Sequence, residues 1–321
     1  MNNMQLLIAK LKSPQVRNIV LVTHDAPDGD ALGSLIALEE LLIQLGKRVH
    51  IVLQQRLSKR WEPIVGASRV ERLLLPPSNM VYDMAILIDC SSLDRTYRYF
   101  TRLSNYICTV DHHLSALVTA NLTWVEAVPA TAVLIHRLAK ELNVMTPTMA
   151  SALYCAYRAD TGNYSFASVT PEIHNLTAEL LNEGADTALV TEVLSQVSGE
   201  SLRLLGEVLS HNLHMQMPLG LTYAYITQDV IQRTGCTLES AAGVIDYIRN
   251  VEGTEIAILF LEGNDKIRIR ARSKHVDVAA LLKPFNGGGH LLAAGAALYN
   301  TSLEQAIDRV IGHITTFLAG N

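Results

Sequence analysis

The sequence lacks the features that mark secreted and membrane proteins. Its 321 residues contain only four cysteines, at positions 90, 108, 155 and 236, and none forms a C-x-x-C pair. Buried thiols in a reducing compartment explain them better than a disulfide framework. No uninterrupted apolar stretch approaches the roughly 20 residues that span a bilayer. The first 13 residues lack the apolar run and cleavage site of a signal peptide. We therefore expect a cytoplasmic protein without a membrane partner.

Positive charge is also scarce, because the formal net charge is −5. Proteins that coat long duplex nucleic acid usually carry a basic face, so a long duplex is not the expected partner. A short nucleotide held by a few local arginines remains compatible with this charge. Charged residues make up 18% of the chain and hydrophobic residues 49%, which excludes a disordered protein and, at this length, indicates two folded domains.

The first half alternates short apolar runs with helical patterns. We predict strands at 18–23, 48–53, 84–88, 106–110 and 122–125. Helices are predicted at 31–45, 131–142 and 148–158, and another from Pro171 to about Gly184. Strands this apolar, separated by helices, indicate a mainly parallel sheet covered on both faces. The prediction is a doubly wound α/β domain over residues 1–185.

The pattern changes in the second half of the chain. Residues 186–217 are predicted as a connector, continuously helical from Asp186 to Leu213. Beyond it we predict strands at 221–227, 255–261, 266–272 and 296–299, and helices at 238–250 and 303–318. The turn Glu262-Gly263-Asn264-Asp265 predicts a hairpin. The prediction is a smaller α+β domain over residues 218–321.

Acidic and histidine residues follow three of the strands predicted in the first half. Ligands bind beyond the carboxyl ends of the strands in open α/β sheets, so these side chains are expected at one edge. A single aspartate at a strand end more often caps a helix or holds a turn. Three converging strand ends make that explanation poor for the whole set. A fourth segment, which carries Asp160 at the end of a predicted helix, adds to it. The set comprises His24, Asp28, Asp30, Asp89, Asp111, His112, His113 and Asp160.

Carboxylates this close together repel one another unless cations neutralise them. Oxygen and imidazole ligands without thiolates suit Mn²⁺ or Mg²⁺, with Co²⁺ or Zn²⁺ less favoured. Six ligands drawn from this set of eight residues are too many for one catalytic ion that keeps open positions. They fit two ions roughly 3.5–4 Å apart that share a carboxylate, an arrangement that activates water for phosphoryl displacement. The sequence therefore predicts a two-metal phosphoesterase.

The second domain carries two patterns that suit phosphate. In the strand at 266–272, a period of two places Arg268, Arg270 and Arg272 on one face. A solvated sheet face is the default explanation, although an arginine there could bind phosphate. In the run Asn286-Gly287-Gly288-Gly289-His290, backbone N–H groups near a predicted helix start would favour an anion. Flexible turns are the commoner cause of such glycine runs.

These residues resemble the DHH phosphoesterases. The resemblance rests on His24, the Asp28-x-Asp30 pair, Asp89, the Asp111-His112-His113 triplet and Asp160-Thr161-Gly162. The glycine-histidine loop and the pair Arg272-Ser273 resemble the DHH-associated C-terminal domain. The most similar subgroup is the short bacterial nanoRNase and phosphoadenosine-phosphate phosphatase type, also described as RecJ-like or exopolyphosphatase-related.

The resemblance implies a role for each residue. One metal would be held by His24, Asp28 and Asp89, and the other by Asp30, Asp89, His112 and Asp160. His113 would act at the scissile phosphate, with Asp111 supporting the histidines. The substrate would be bound from the second domain, so that the active site lies in the interdomain cleft. The residues implied in substrate binding are Arg272, Ser273, Gly287, Gly288, Gly289 and His290.

Several alternatives stay open at this point. The expected substrate is a short oligonucleotide or a bisphosphorylated nucleoside; polyphosphate or a cyclic dinucleotide is the alternative. A non-catalytic nucleotide-binding module is disfavoured because every ligand position is intact, and a homodimer is possible. Ala156 stands where many relatives carry glycine, and Arg158 could alter substrate preference. Tyr164 and Phe166 could stack on a base, although packing is the commoner role for aromatic residues there.

Overall fold

The computed structural model describes residues 2–66, 82–114, 118–166, 168–241 and 243–319. The chain divides into two compact units, Met1–Gln196 and Val197–Asn321. Within the described ranges, no helix is both long enough and apolar enough to cross a bilayer.

The first unit alternates strands and helices along the chain. Its strands are β1 Asn18–Val22, β2 Arg48–Val52, β3 Met84–Ile88, β4 Ile107–Asp111 and β5 Leu122–Val125. Its described helices are α1 Asn3–Lys12, α2 Gly29–Gln44, α3 Glu62–Val65, α4 Thr131–Leu142, α5 Pro147–Asp160, α6 Pro171–Asn182 and α7 Thr187–Ser195. Short 3-10 helices cover Lys59–Trp61, Leu93–Arg95 and Phe100–Arg102.

The five strands of this unit form one parallel sheet in the order β2-β1-β3-β4-β5. Alternate residues enter two different cores. Ile19 and Leu21 of β1 contact the large cluster that the helices cover, whereas Val20 and Val22 face a smaller cluster with Phe100. The chain order reverses between β1 and β3, which is where open α/β sheets bind their ligands.

Helices α2 and α5 approach each other closely because their contact is built from small residues. A Cβ at Gly29 would lie 2.5 Å from the Cβ of Ala159. A Cβ at Gly33 would lie 2.3 Å from the carbonyl oxygen of Ala152 and 2.9 Å from the Cβ of Ala156. The first turn of α2 therefore lies against the last turns of α5. Ala156 fills space directly opposite Gly33.

The second unit contains a six-stranded mixed sheet with helices on both faces. Its strands are β6 Leu213–Gln216, β7 Leu221–Ile226, β8 Ile256–Glu262, β9 Lys266–Ser273, β10 Gly288–His290 and β11 Ala293–Tyr299. Its described helices are α8 Gly199–His211, α9 Gln228–Thr234, α10 Leu238–Ala241, α11 Val244–Arg249, α12 Val278–Leu282 and α13 Leu303–Ala319.

The sheet order in this unit is β10-β11-β9-β8-β7-β6, with β7 and β8 parallel and the other neighbours antiparallel. Strand β8 is buried on both faces. Ile256, Ile258 and Phe260 contact the core beneath α12 and α13, and Leu259 and Leu261 contact the core beneath α8 and α11. The predicted fold class, an α/β parallel-sheet unit with a second, smaller sheet unit, is confirmed.

Two predictions in the second half were wrong in detail. The stretch from Asp186 to Leu213 is not one helix, because 196–198 is non-helical and the side chain of Ser198 caps α8 by accepting from the backbone N–H of Ser201. Leu213 itself begins strand β6. The helix predicted at 238–250 is two short helices, α10 and α11.

Candidate metal centre

Three neighbouring strands of the first unit deliver the predicted site residues to one edge of the sheet. His24 lies two residues beyond the end of β1, Asp89 directly follows β3, and Asp111 is the last residue of β4. Because the strands are parallel, their carboxyl ends lie side by side at the reversal of strand order. His24 is also fixed by a backbone bridge to Thr96, whose hydroxyl donates to the carbonyl of Thr23 at 2.6 Å.

Asp89 lies at the centre of the cluster and is only 4% exposed. Its Oδ2 is 3.9 Å from His24 Nε2, and its Oδ1 is 3.6 Å from His112 Nε2 and 3.7 Å from His113 Nδ1. The backbone of Asp89 has a φ of 52°, in the left-handed region that aspartate tolerates better than most residues. The structure thus places one carboxylate within reach of three imidazoles.

The remaining predicted ligands lie around Asp89. The carboxyl of Asp28 accepts from the backbone N–H groups of Asp30 and Ala31, both at 3.1 Å, and so begins α2 at Gly29. Asp160 Oδ2, at the end of α5, is 3.4 Å from His112 Nε2. Among the residues that the structure describes, three groups have ligand atoms within 4.8 Å of one another: His24, Asp28 and Asp89; Asp30, His112 and Asp160; and Asp89, Asp111, His112 and His113.

Backbone carbonyls orient two of the imidazoles. The Nδ1 of His24 lies 2.7 Å from the carbonyl oxygen of Asp25, and the Nδ1 of His112 lies 3.1 Å from that of Val128. Because a carbonyl only accepts, each Nδ1 carries a proton, and Nε2 is the ring atom that faces the carboxylates and can ligate a metal. Neutral histidine with a fixed tautomer is the form that ligates a metal.

Asp30 has a second task that sequence reasoning missed. It lies in the first turn of α2 rather than in the preceding turn, and it is fully buried. Its Oδ2 accepts from the N–H of Thr131 at 2.7 Å and its Oδ1 from that of Ala132 at 3.0 Å. Residue 130, the formal N-cap of α4, offers no side-chain bond. Asp30 therefore caps a helix that begins about 100 residues later and ties α4 to the site.

The electrostatics of the cluster are unfavourable without cations. Burial, with the charges of Asp89, Asp160 and Asp28 added, raises the pKa of Asp30 well above its usual range. Burial together with nearby Asp28 raises the pKa of Asp89, although His112 offsets part of the effect. Burial, then Asp28 and Asp89, raises the pKa of Asp160 to about 8. Divalent cations are the partners that would keep such carboxyls ionised.

His113 is oriented by Asp111 rather than by a carbonyl. Asp111 Oδ1 accepts from both the backbone N–H and the Nδ1 of His113, at 2.9 Å and 2.7 Å. Asp111 is 1% exposed, and this bond is the largest cause of the raised pKa of His113. The pair forms a carboxylate–imidazole unit whose histidine stays protonated to a higher pH than usual. Such a group can donate a proton or stabilise negative charge.

The structure also shows a site residue, Thr131, that the sequence did not indicate. The hydroxyl of Thr131 donates to Asp89 Oδ1 at 2.9 Å and so fixes the central carboxylate. No local motif marks this threonine, because its partner is 42 residues away.

The contacts of Arg158 indicate a structural role. It is 9% exposed and donates to Asn163 at 2.8 Å and to Thr191 of α7 at 2.6 Å, so the structure does not support its predicted effect on substrate preference. Tyr164 stacks on His174 and bonds the hydroxyl of Thr177 at 3.0 Å, which is a packing role. Phe166 is 43% exposed.

The arginine strand of the second unit has the predicted alternation. Arg268 and Arg270 are exposed and Arg272 is partly buried, while Ile267, Ile269 and Ala271 are buried. Residues directly opposite each other in antiparallel strands share a face. The arginines therefore lie beside Ala297, Gly295 and Ala293 of β11, residues with a small side chain or none. The result is a shallow groove of about 660 Å³ with a basic floor, also lined by Gly288 and Gly289.

The triple glycine does not precede a helix, so that part of the prediction was wrong. Gly288–His290 is edge strand β10, which pairs with β11 through the tight connection at 291–292. A Cβ at Gly289 would lie 2.5 Å from the carbonyl oxygen of Ala293, and one at Gly287 would lie 2.7 Å from the Cβ of Leu282. A Cβ at Gly288 would meet nothing within 4 Å. Close packing explains two of the glycines, and an edge strand still offers backbone groups to a ligand.

Ser273 does not fit its predicted role in substrate binding. Its side chain is fully buried, and its hydroxyl donates to the carbonyl of Val276. Arg272 Nε is 3.7 Å from Asp246 Oδ1 on α11, and its Nη1 donates to the carbonyl of Ala271 at 3.2 Å. Ser273 therefore fixes the turn after β9, and Arg272 is the member of the pair that reaches the groove.

Two family models match the chain. The N-terminal domain of the DHH family matches residues 18–157, and the DHHA1 domain matches residues 220–319. The sheet reversal and every member of the aspartate–histidine cluster except Asp160 lie in the first match, and the arginine groove lies in the second. These features define a metal-dependent hydrolase, as the sequence predicted. The chain belongs to the DHH family, with a DHHA1 domain in its second unit.

Known proteins resemble the chain over almost its full length. A protein of Thermus thermophilus, named bifunctional oligoribonuclease and PAP phosphatase NrnA, is 29% identical over 95% of this chain and 91% of its own. The structure of an exopolyphosphatase-related protein from Bacteroides fragilis has a TM-score of 0.88 at 21% identity, covering 99% of this chain and 96% of that one. Exonuclease RecJ bound to manganese has a TM-score of 0.53 at 15% identity, covering 99% and 95%.

Proposed function

We propose that this protein is a two-metal phosphoesterase that hydrolyses short oligoribonucleotides and the phosphomonoester of bisphosphorylated nucleosides. The observation that carries the proposal is the buried aspartate–histidine cluster around Asp89, formed at three adjacent strand ends. The relative named as an oligoribonuclease and PAP phosphatase matches the chain across both units, which supports this substrate class. A cytoplasmic location and a possible homodimer stay predictions.

The residues present suit a pair of divalent ions. His24, Asp28 and Asp89 would hold one ion, and Asp30, Asp89, His112 and Asp160 the other, with Asp89 shared. The donors are oxygens and Nε2 atoms without a thiolate, which suits Mn²⁺ first and Mg²⁺ or Co²⁺ after it. The raised carboxyl pKa values are a second sign of fit, because bound cations would remove the mutual repulsion of these carboxylates. RecJ, with a similar fold, is a manganese-bound example.

When bound, such ions would lower the pKa of a water molecule and neutralise charge on the phosphoryl oxygens. The protein's own groups would do the rest. The carbonyls of Asp25 and Val128 orient the rings of His24 and His112, so that their Nε2 atoms face the carboxylates as the atoms able to ligate a metal. Asp111 raises the pKa of His113, which favours the protonated form that can stabilise negative charge or donate a proton to the leaving oxygen.

The basic groove of the second unit would bind the phosphates and the sugar of the substrate. Arg268, Arg270 and Arg272 lie beside the small residues of β11, so a flat ligand can reach the guanidinium groups. Arginine binds phosphate through two parallel hydrogen bonds, which gives orientation as well as affinity. Gly288, with open space at its Cβ position, would let backbone groups approach the same ligand. His290 stays a predicted member of this binding surface.

The proposal is tested with a substrate panel in the presence of Mn²⁺: dinucleotides, a bisphosphorylated nucleoside, polyphosphate and a cyclic dinucleotide. We expect hydrolysis of the first two, with loss of at least about a thousandfold in Asp89→Asn. Asp308→Asn, at an exposed aspartate on α13, is the matched control and should retain full activity. Preference for polyphosphate or the cyclic dinucleotide would replace the substrate assignment, and equal activity of wild type and Asp89→Asn would reject the site.

A further inference from the structure

The first unit carries an exposed arginine–tyrosine surface that the metal centre does not use. We define it by Arg95, Tyr97, Arg98, Tyr99 and Arg102, which lie between β3 and β4. Residues 94–102 hold three arginines and one acidic residue, Asp94, in a chain whose net charge is −5. Arg98 and Arg102 are exposed, and Tyr99 is 38% exposed. The positive charge is thus concentrated locally.

The surface is organised around the ring of Tyr99. The guanidinium carbon of Arg98 lies 4.5 Å from the centroid of this ring, and that of Arg102 lies 5.6 Å from it. Tyr97 packs edge-on against Tyr99 with centroids 5.7 Å apart, and it is itself anchored in the core beside Tyr82 and Phe100. The exposed aromatic ring is therefore held by a partly buried one and has two guanidinium groups beside it.

The surface is continuous with the metal centre. Thr96, between Arg95 and Tyr97, forms the backbone bridge to His24, and the carbonyl of Arg95 accepts from the N–H of Asp25 at 2.5 Å. A cavity of about 350 Å³ next to it is lined by Tyr97, Arg98 and Gln54, the last just beyond the end of β2. Arg95 and Thr96 thus join one end of the surface to the residues that follow β1, His24 and Asp25.

We infer that this arginine–tyrosine surface binds nucleotides of a single-stranded oligonucleotide that extend beyond the scissile phosphate. Single strands are bound by aromatic rings on which bases stack, interleaved with cations that follow the phosphates, and this composition is present here. The negative charge of the ligand complements the excess positive charge of the surface. The inference rests on the proposed function and deepens it, because it assigns a determinant of preference for substrate length.

The test compares a pentaribonucleotide with a bisphosphorylated nucleoside, which has no further nucleotide beyond the one at the metal centre. Tyr99→Ala should lower kcat/KM for the pentanucleotide about tenfold more than for the bisphosphorylated nucleoside, as loss of one stacked base predicts. Tyr99→Phe keeps the ring and should restore most of the difference. Arg48→Ala, at an exposed arginine on the amino end of β2, is the matched control and should change neither value.

Salt dependence separates a phosphate contact from a structural effect. For Arg98→Ala and Arg102→Ala, the slope of log kcat/KM against log salt for the pentanucleotide should become shallower by about 0.7 for each lost contact. Tyr99→Ala should leave that slope unchanged. Equal losses on both substrates with unaltered slopes would overturn the inference and assign the surface to fold stability or to a protein partner. Failure of the wild type to cleave either substrate would instead reject the proposed function.

Discussion

Substitution of Gly33 by alanine tests whether the close contact of α2 and α5 positions the site. At an ordinary helix position this change stabilises a protein by up to about 1 kcal/mol, since alanine is the better helix former. At Gly33 the added Cβ would lie 2.3 Å from the carbonyl oxygen of Ala152 and 2.9 Å from the Cβ of Ala156. Carbon atoms in contact prefer about 3.5–4.0 Å, so the two helices must separate locally by about 1 Å.

Overpacking of this kind costs about 1–3 kcal/mol, which exceeds the gain in helix propensity. We therefore expect Gly33→Ala to lower the free energy of unfolding by about 1–2 kcal/mol. The separation also moves Asp160, one helical turn beyond Ala156, away from Asp28 and Asp30. Affinity for Mn²⁺ should fall by roughly tenfold, because misplacing a ligand or its support weakens a metal site by about this amount.

The matched control is Gly206→Ala, at a glycine in the interior of α8 where an added Cβ would meet nothing within 4 Å. Urea unfolding and calorimetric titration with Mn²⁺ are measured for both variants and the wild type. Gly206→Ala should be slightly stabilised with unchanged metal affinity. The reasoning is refuted if Gly33→Ala is stabilised to the same degree, or if it binds Mn²⁺ as tightly as the wild type.

Three further predictions concern the cluster itself. After treatment with EDTA, the free energy of unfolding should fall as pH rises from about 4 to about 8, by about 1.4 kcal/mol per pH unit for each proton held only by the folded state. Stability falls because burial raises these carboxyl pKa values, that of Asp160 to about 8, so the folded state holds protons that the unfolded state has released. Saturating Mn²⁺ should abolish the fall, and stability that rises with pH would contradict this prediction. Asp111→Asn removes the partner that raises the pKa of His113, so the alkaline limb of the kcat–pH profile should move to lower pH, and an unmoved limb would exclude this role. Thr131→Val removes the hydroxyl bond to Asp89 and should weaken Mn²⁺ binding by about tenfold in calorimetry, whereas unchanged affinity would show the bond to be dispensable.

The strands and the cluster of the first unit could be predicted because both depend on local sequence. Apolar runs such as 18–22 and 84–88 match the observed strands closely, and parallel strands place whatever follows them at one edge. The identity of Asp89 as the central residue came only with the family resemblance. The structure supports it independently, since three imidazoles lie within 4 Å of this carboxylate.

Features that depend on distant partners were missed. The capping of α4 by Asp30 joins residues 101 positions apart, and local sequence carries no signal of it. Strand β10 was mistaken for a loop because glycines have no side chains to show a period of two. Ser273 matched the family motif in type, but only the structure shows that its hydroxyl is buried and bonded to Val276.

The non-helical stretch at 196–198 is different, because its signal is local. Ser198 is a favoured capping residue, and it precedes Gly199 at the true start of α8. The long apolar periodicity on either side obscured this single residue, so two helices were predicted as one.

The most direct test of the central claim is anomalous diffraction from crystals of the wild-type protein soaked in Mn²⁺. Two peaks are expected in the first unit, one among His24, Asp28 and Asp89 and the other among Asp89, Asp30, His112 and Asp160. Absence of both peaks at saturating Mn²⁺, or a single peak remote from Asp89, would contradict that claim.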